Sequence, residues 1–205
     1  MTFSQIVKWH TWPQALLSVP LLLRRVWLKW RQKPADEVLE RIGSLVKDAV
    51  VFEAREFDGI FSIKPRSHLL QRILRDGHYE PRISSLYFAY IEPDRDIIDV
   101  GANIGFFTIG GAKKLTTGRL LATEPTTAAF HQLSKSVVRN GVSERVILFK
   151  GLVGSSTGEA QIRSIPGCEE YSSIGEIEHV SVKLRESFAE TVSIERLDNL
   201  CSSTI

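Results

Sequence analysis

The chain has 205 residues, of which 24% are charged and 43% are hydrophobic, and its net charge is +2. This is the composition of an ordinary globular protein, and it excludes collagen-like, low-complexity and wholly disordered chains. Two cysteines, Cys168 and Cys201, can build neither a disulfide framework nor a four-thiolate zinc site. We therefore expect a cytoplasmic protein in a reducing compartment.

Residues 1–34 form a basic leader that holds six basic residues and no acidic one, whereas the rest of the chain has a net charge of −4. The negative net charge of the chain after the leader argues against a nucleic-acid partner. The leader predicts an amphipathic helix from Pro20, with an apolar face of Leu22, Leu23, Val26, Trp27 and Trp30. This face either packs on the domain or makes peripheral contact with an anionic membrane. The longest apolar run of the leader is too short to span a bilayer. Most of the basic charge follows that run, whereas a secretion signal has its basic charge before it, so we predict no secretion.

The second predicted region, residues 35–93, holds helices and a small hairpin. Its apolar spacing predicts a helix over Glu37–Val46, strands over Val50–Phe57 and Gly59–Ile63 with a turn at Asp58-Gly59, and a helix over Ser67–Arg75.

The third predicted region, residues 94–205, changes to strands that alternate with helices. Strands are predicted over Asp96–Val100, Arg119–Thr123 and Val146–Phe149, with helices over Phe106–Leu115 and from Thr126 or Thr127 to Asn140. The first strand is a short apolar run without alternation, as in a strand covered on both faces. Connections this short predict an α/β fold with a parallel, doubly wound sheet.

In such a sheet, ligands bind beyond the carboxyl ends of the strands. The loops Gly101–Gly105 and Glu124–Thr126 follow neighbouring predicted strands and form the predicted site. Gly101 allows a sharp turn, and Gly105 lets the next helix pack closely on its strand. The start of that helix is expected to offer free amide hydrogens to an anion. Glu124 lies 23 residues after Gly101, where an acidic side chain binds the hydroxyls of a cofactor ribose.

The middle of the first loop distinguishes between nucleoside cofactors. A dinucleotide favours G-x-G-x-x-G, because its pyrophosphate lies against a backbone without side chains. Here Asn103 stands where the second glycine would be, and Asp99 precedes the turn. S-adenosylmethionine has no phosphate, but it carries an ammonium and a sulfonium that a carboxylate can face. The pattern favours S-adenosylmethionine, and a nucleotide-cofactor oxidoreductase stays open as an alternative.

The string Asp99-Val100-Gly101-Ala102-Asn103-Ile104-Gly105-Phe106-Phe107-Thr108, with Ala122-Thr123-Glu124-Pro125 after it, resembles the FkbM family of S-adenosylmethionine-dependent methyltransferases. Other stretches resemble family landmarks in the same order: Gly77–Pro81, Asn140-Gly141, Gly154–Glu159 and Ser193–Leu200. The resemblance implies a class I methyltransferase fold, which is Rossmann-like. It also implies methylation of a hydroxyl on a sugar, glycan, glycolipid or polyketide-like acceptor, without a metal.

The same resemblance implies roles for seven cofactor-binding residues. It places Asp99, Gly101 and Asn103 near the methionine part of the cofactor, with Ala102 and Gly105 in the same loop. It places Glu124 at the ribose and Glu80 beside the amino group, although a surface acid that stabilises a turn explains Glu80 equally well. Tyr171-Ser172-Ser173 resembles a serine-bearing segment near the acceptor, but a simple polar loop is the better explanation.

The sequence assigns no catalytic residue. The candidates for a base after the third strand are His179, Glu169, Glu170 and Tyr171, and nothing in the sequence fixes their geometry. His179 is better explained as an exposed histidine on a strand, because no second partner is spaced around it.

One departure from the family concerns the end of the chain. Family members continue into a strand with an acidic I-D-x-E-G-x-E run, whereas this sequence stops at Ile205. We therefore expect a sheet that is incomplete at the C-terminus, with an apolar edge on its first strand and an uncovered helix face. A catalytically inactive truncated remnant, or an interaction module, is the alternative function.

Overall fold

The computed structural model describes residues 49–65, 67–165, 172–174 and 186–204. The predicted leader, the predicted helix Glu37–Val46 and the candidate bases His179 and Glu169–Tyr171 lie outside the described residues. The three-region division of the chain therefore stays a prediction. Within the described ranges, no helix is both long enough and apolar enough to cross a membrane.

The predicted hairpin is confirmed as β1 (Val50–Ala54) and β2 (Gly59–Ile63), which pair antiparallel from Ala54 with Gly59 to Val50 with Ile63. A short 3-10 helix, Arg55–Phe57, lies between them, so β1 is shorter than predicted. Asp58 closes the turn in the left-handed region, at φ 48°. This geometry suits aspartate, whose short polar side chain tolerates a positive φ.

Two helices follow the hairpin, and only the first was predicted. Helix α1 (His68–Asp76) begins where the Ser67 hydroxyl accepts a hydrogen bond from the Leu69 amide at 3.2 Å, and it ends at Gly77, whose φ is 78°. Helix α2 (Pro81–Tyr90) was missed. Its apolar side chains do not form one buried stripe, since Ile83 and Tyr90 are exposed. Proline at its first position was the signal available in the sequence.

The predicted parallel sheet is confirmed as β3 (Ile97–Val100), β4 (Leu120–Thr123) and β5 (Val146–Phe149), which lie side by side in that order. Helix α3 (Phe106–Ala112) connects the first two strands, and α4 (Thr127–Arg139) connects the second and third. Helix α3 ends three residues before the predicted Leu115. This alternation of parallel strands and helices is a Rossmann-like α/β fold.

The hydrophobic core lies where the hairpin covers the helices of this sheet. The rings of Phe57 and Phe106 stack at 5.1 Å between centroids, and Phe61 meets Phe106 edge to face at 4.6 Å. Phe57 and Phe61 are almost completely buried, as is Ile109 of α3. Aromatic pairs at such distances contribute about 1 kcal/mol each beyond the area they bury. The hairpin is therefore part of the same core as the helices.

Asn140, at the C-terminal end of α4, also binds the hairpin through hydrogen bonds of its side-chain amide. Its Oδ1 accepts from the Ile60 amide and its Nδ2 donates to the Ile60 carbonyl oxygen, both at 2.8 Å. Nδ2 lies within the same distance of the Ser136 carbonyl oxygen. The side chain thus pairs with the outer edge of β2 as a neighbouring strand would.

A second sheet was not predicted. It comprises β6 (Leu152–Gly154), β7 (Gly158–Ser164), β8 (Ser173–Ile174) and β9 (Phe188–Arg196) in the order β6-β9-β7-β8, and α5 (Leu197–Thr204) follows it. Strands β7 and β9 pair antiparallel over seven residues, from Gly158 with Ile194 to Ser164 with Phe188. Partners so far apart in the sequence leave no hairpin signal between them.

The expected apolar edge on the first parallel strand is present in the described part of the chain, where β3 pairs with β4 alone. Ile98 and Val100 are 39% and 56% exposed. The expectation that both faces of this strand are covered was therefore wrong for these residues. Their side chains lie on the face away from Ile97 and Asp99, which are less exposed.

The close packing of Gly118, which precedes β4, against the backbone of Arg95 can be tested by substitution. A Cβ added there would lie 2.1 Å from the Arg95 carbonyl oxygen, and backbone cannot move aside as a flexible side chain can. We expect Gly118→Ala to lower the free energy of unfolding by about 2 kcal/mol, measured by urea denaturation. Gly158→Ala is the control, because a Cβ there meets nothing within 4 Å. Equal urea midpoints for the two variants would contradict the packing.

Candidate functional site

The two predicted site loops meet at the carboxyl ends of β3 and β4. The amides of Gly101 and Ala102 both donate to the Thr123 carbonyl oxygen at 2.9 Å, which extends the pairing of the two strands into the first loop. Asp99 lies opposite Ala122 in the sheet register. The parallel strands therefore bring the loop after β3 beside Glu124, the first residue after β4.

Positive φ angles shape the loop between β3 and α3. They occur at Gly101 (79°), Asn103 (52°) and Gly105 (96°). A Cβ at Gly101 would meet nothing within 4 Å, so the space beside this residue is open and its backbone angle accounts for the glycine. A Cβ at Gly105 would lie 2.7 Å from the Leu133 side chain, so this glycine allows close packing against α4, whereas we predicted close packing of α3 on its own strand.

Glu124 is buried, with 6% of its surface exposed, and both of its carboxylate oxygens accept hydrogen bonds. The Asn103 amide donates to Oε2 at 2.9 Å. The Thr126 amide and hydroxyl donate to Oε1 at 2.9 and 2.6 Å. Burial raises the pKa of Glu124, the hydrogen bonds from Thr126 and Asn103 oppose that shift, and the charge of Asp99 adds to it. Each oxygen has two lone pairs, so Oε2 can still accept from a ligand hydroxyl.

Asp99 is half-buried at the end of β3, and its Oδ2 accepts a hydrogen bond from the Thr108 hydroxyl at 2.6 Å. Burial raises the pKa of Asp99, and the hydrogen bonds from Thr108 oppose the shift. The charge of Asp99 also affects Tyr87 of α2. Burial is the larger cause of the raised pKa of Tyr87, and the charge of Asp99 is the smaller one. Its hydroxyl donates to the Phe107 carbonyl oxygen at 3.1 Å.

The amides of four residues in the turn before α3 are bound within the protein, whereas the expectation of free amides concerned the start of α3 itself. The amides of Gly101 and Ala102 bind Thr123, that of Asn103 binds Glu124, and that of Gly105 binds the Ala102 carbonyl oxygen at 2.9 Å. The loop satisfies these groups internally because its positive φ angles turn them toward the sheet. The groups that face a ligand here are carboxylates.

Glu80, the remaining predicted site residue, is the residue before α2 and has a φ of 48°. Its Oε1 lies 3.5 Å from the Arg72 guanidinium on α1, and about one third of its side chain is exposed. This contact fits the turn-stabilising explanation of Glu80. Its cofactor role stays a prediction.

Sequence reasoning missed Thr108 and the observed role of Thr126, which contact the two carboxylates, and Tyr87, whose pKa the charge of Asp99 raises. Thr126 was predicted as a possible cap of α4, and it does occupy the cap position, but its hydroxyl binds Glu124 instead of the helix. The pairing of Thr108 with Asp99 could have been anticipated, since a hydroxyl one turn into a helix often faces the preceding strand end. Tyr87 gave no signal, because its helix was not predicted.

The site offers acidic and backbone groups but no metal centre in the described ranges. Among these residues, no group of three or more His, Cys, Asp or Glu side chains is placed to hold a metal ion. A cavity of about 20 Å³ beside Asn103, lined also by Ile104 and Gln132, has room for about one water molecule. A larger ligand does not fit in this cavity.

The parallel strands, the glycine-containing loop and the acid after the second strand define a Rossmann-like α/β protein. No protein-family model matches the chain, and comparison with curated proteins found no match. Among solved structures, M. jannaschii TYW2 in complex with AdoMet matches at 17% identity over 58% of this chain and 64% of that chain, with a TM-score of 0.40. P. horikoshii TYW2 in complex with MeSAdo matches at 15% identity over 51% and 36%, with a TM-score of 0.37.

A protein-L-isoaspartate O-methyltransferase matches at 18% identity over 36% of this chain and 24% of that chain, with a TM-score of 0.32. The matched part spans less than two thirds of each of these three solved chains.

Asp99→Asn tests the burial of charge at the site. Because the pKa of Asp99 is raised on folding, the ionised carboxylate costs the folded state more than the unfolded chain. That cost is absent below the usual aspartate pKa of 3.8 and develops as pH rises through the folded-state pKa. Asp99→Asn should therefore gain stability relative to wild type as pH rises from about 4 to 7.

Urea denaturation at a series of pH values measures this difference. Asp94→Asn, which changes an exposed acid in the turn before β3, is the control and should show no comparable pH trend. A constant difference between Asp99→Asn and wild type across the series would contradict the raised pKa.

Proposed function

We propose that the chain is an S-adenosylmethionine-dependent methyltransferase of the FkbM type. Its acceptor would be a hydroxyl on a sugar, glycan, glycolipid or polyketide-like molecule. The observation that carries the proposal is the placement of Asp99 and Glu124 at the ends of adjacent parallel strands, with open space beside Gly101 in the loop that follows Asp99. These residues fit the adenosyl cofactor, because it presents cationic groups and ribose hydroxyls to a site built from carboxylates.

In this proposal each carboxylate has a separate task. Asp99 faces the ammonium and sulfonium of the cofactor, and its ionised form supplies the attraction. Glu124 accepts from the ribose hydroxyls through Oε2, while Thr126 holds Oε1 in place. Gly101 provides the open side against which the methionine part lies.

The internal use of the loop amides favours this cofactor over a dinucleotide. A pyrophosphate needs several backbone amides directed at it and a backbone free of side chains. The amides of Gly101, Ala102 and Asn103 are bound to Thr123 and Glu124, and Asn103 carries a side chain where a glycine would be needed. Two buried carboxylates would also repel a diphosphate.

When bound, the cofactor supplies a methyl group activated by the positive sulfonium. The protein's contribution is then to align the acceptor oxygen with that methyl carbon and to exclude competing water. An acceptor hydroxyl gives up its proton as the new bond forms, so a base takes part. We assign no base among the described residues.

Isothermal titration with S-adenosylhomocysteine and with NAD tests the cofactor class. We expect the wild-type chain to bind S-adenosylhomocysteine and Glu124→Gln to bind it about 10 to 100 times more weakly, because a charge-assisted hydrogen bond to the ribose is lost. Glu144→Gln changes an exposed acid near β5 and is the matched control. Circular dichroism verifies that each variant is folded. Binding of NAD alone would overturn the proposal.

Transfer of a labelled methyl group tests the acceptor class. The purified chain is incubated with labelled S-adenosylmethionine and, separately, with a panel of glycans and glycolipids, with tRNA and with rRNA. We expect label in a carbohydrate or lipid-linked hydroxyl. Label in RNA would contradict the acceptor class while leaving the cofactor assignment intact. Cofactor binding without transfer to any acceptor would favour the inactive alternative.

A further inference from the structure

Glu190 lies on β9 of the second sheet and contacts a helix of the first sheet. In β9 it shares a face with Val192, which is 5% exposed, and with Ile194. The hydrogen bonds that its carboxylate accepts are exposed to solvent. Its partners lie at the start of α4, which is 63 residues earlier in the chain.

Both oxygens of Glu190 accept from Thr127. The Thr127 amide lies 3.1 Å from Oε1 and 3.2 Å from Oε2, and the Thr127 hydroxyl donates to Oε2. The first amides of a helix lack partners within the helix, and a negative charge there is favoured by the helix dipole. Glu190 thus performs the capping that the Thr126 side chain does not.

Two adjacent threonines therefore serve two different carboxylates. Thr126 gives its amide and hydroxyl to Glu124, and Thr127 gives its amide and hydroxyl to Glu190. Without Glu190 at the start of α4, the Thr126 hydroxyl would be the nearest group that could cap this helix. The sequence predicts Thr126 as a possible cap. Thr126 would then leave Glu124 with fewer donors on Oε1.

We infer that Glu190 is a positioning residue for cofactor binding: by capping α4 it keeps Thr126 on Glu124, and so holds Oε2 of Glu124 toward the loop of Gly101–Gly105. This inference rests on the proposed function, because it assigns Glu190 a part in the same site. Through Glu190, β9 of the second sheet stabilises the position of the loop Gly101–Gly105. A disturbance in that sheet would then reach Glu124 through one carboxylate and two threonines.

The first measurement does not depend on any cofactor. Hydrogen exchange at the Thr126 and Thr127 amides is compared in wild type, Glu190→Ala and Glu190→Gln, with Glu159→Ala on β7 as the control. We expect exchange at Thr127 to be at least about tenfold faster in Glu190→Ala. Glu190→Gln should restore most of the protection, because its side-chain oxygen still accepts. Unchanged exchange in Glu190→Ala would overturn the inference.

The second measurement uses S-adenosylhomocysteine as the probe. Its affinity should fall about tenfold in Glu190→Ala and recover in Glu190→Gln. If Glu190 acts through Glu124, the loss should be much smaller when Glu190→Ala is introduced into Glu124→Gln. Faster exchange with unchanged affinity, or fully additive losses, would overturn the positioning role. Failure of wild type itself to bind the probe would instead defeat the proposed function, and the exchange data would still decide whether Glu190 holds the helix.

Discussion

The buried carboxylate of Glu124 is the interaction on which the arrangement of the site depends. It receives the Asn103 amide from the loop after β3 and both donors of Thr126 from the start of α4. Two consecutive connections of the sheet thus converge on one side chain. Charge-assisted hydrogen bonds contribute about 1.5 to 3 kcal/mol each, which offsets part of the cost of desolvating the acid. A neutral side chain in its place could not bind all three donors.

A second constraint on Asp99 and Glu124 is the cost of burying their charge. Burial raises the pKa of both, and the charge of Asp99 adds to the shift at Glu124. Burying the charge of two acids at the ends of adjacent strands is costly for stability alone. Such perturbed acids concentrate at functional sites, and a cationic ligand is the partner that would relieve them.

Local patterns in the sequence were sufficient for the first sheet and insufficient for the second. The strands β3, β4 and β5 are short apolar runs with helices between them, so composition and spacing located each of them to within a residue or two. Helix α2 was missed because its apolar side chains lie on several sides. Strands β7 and β9 were missed because each pairs with a segment more than twenty residues away.

By itself, the sequence identified the two acids of the site, near the end of β3 and directly after β4, and the glycines that permit the turn. Only the tertiary structure decided how those groups are paired. The Thr126 hydroxyl could cap its helix or bind Glu124, and it binds Glu124, while Glu190 of another sheet supplies the cap. The loop amides could face a ligand, and they bind Thr123 and Glu124 instead. A hydrogen bond depends on atoms a few ångströms apart in space, and these partners lie up to 63 residues apart in the chain.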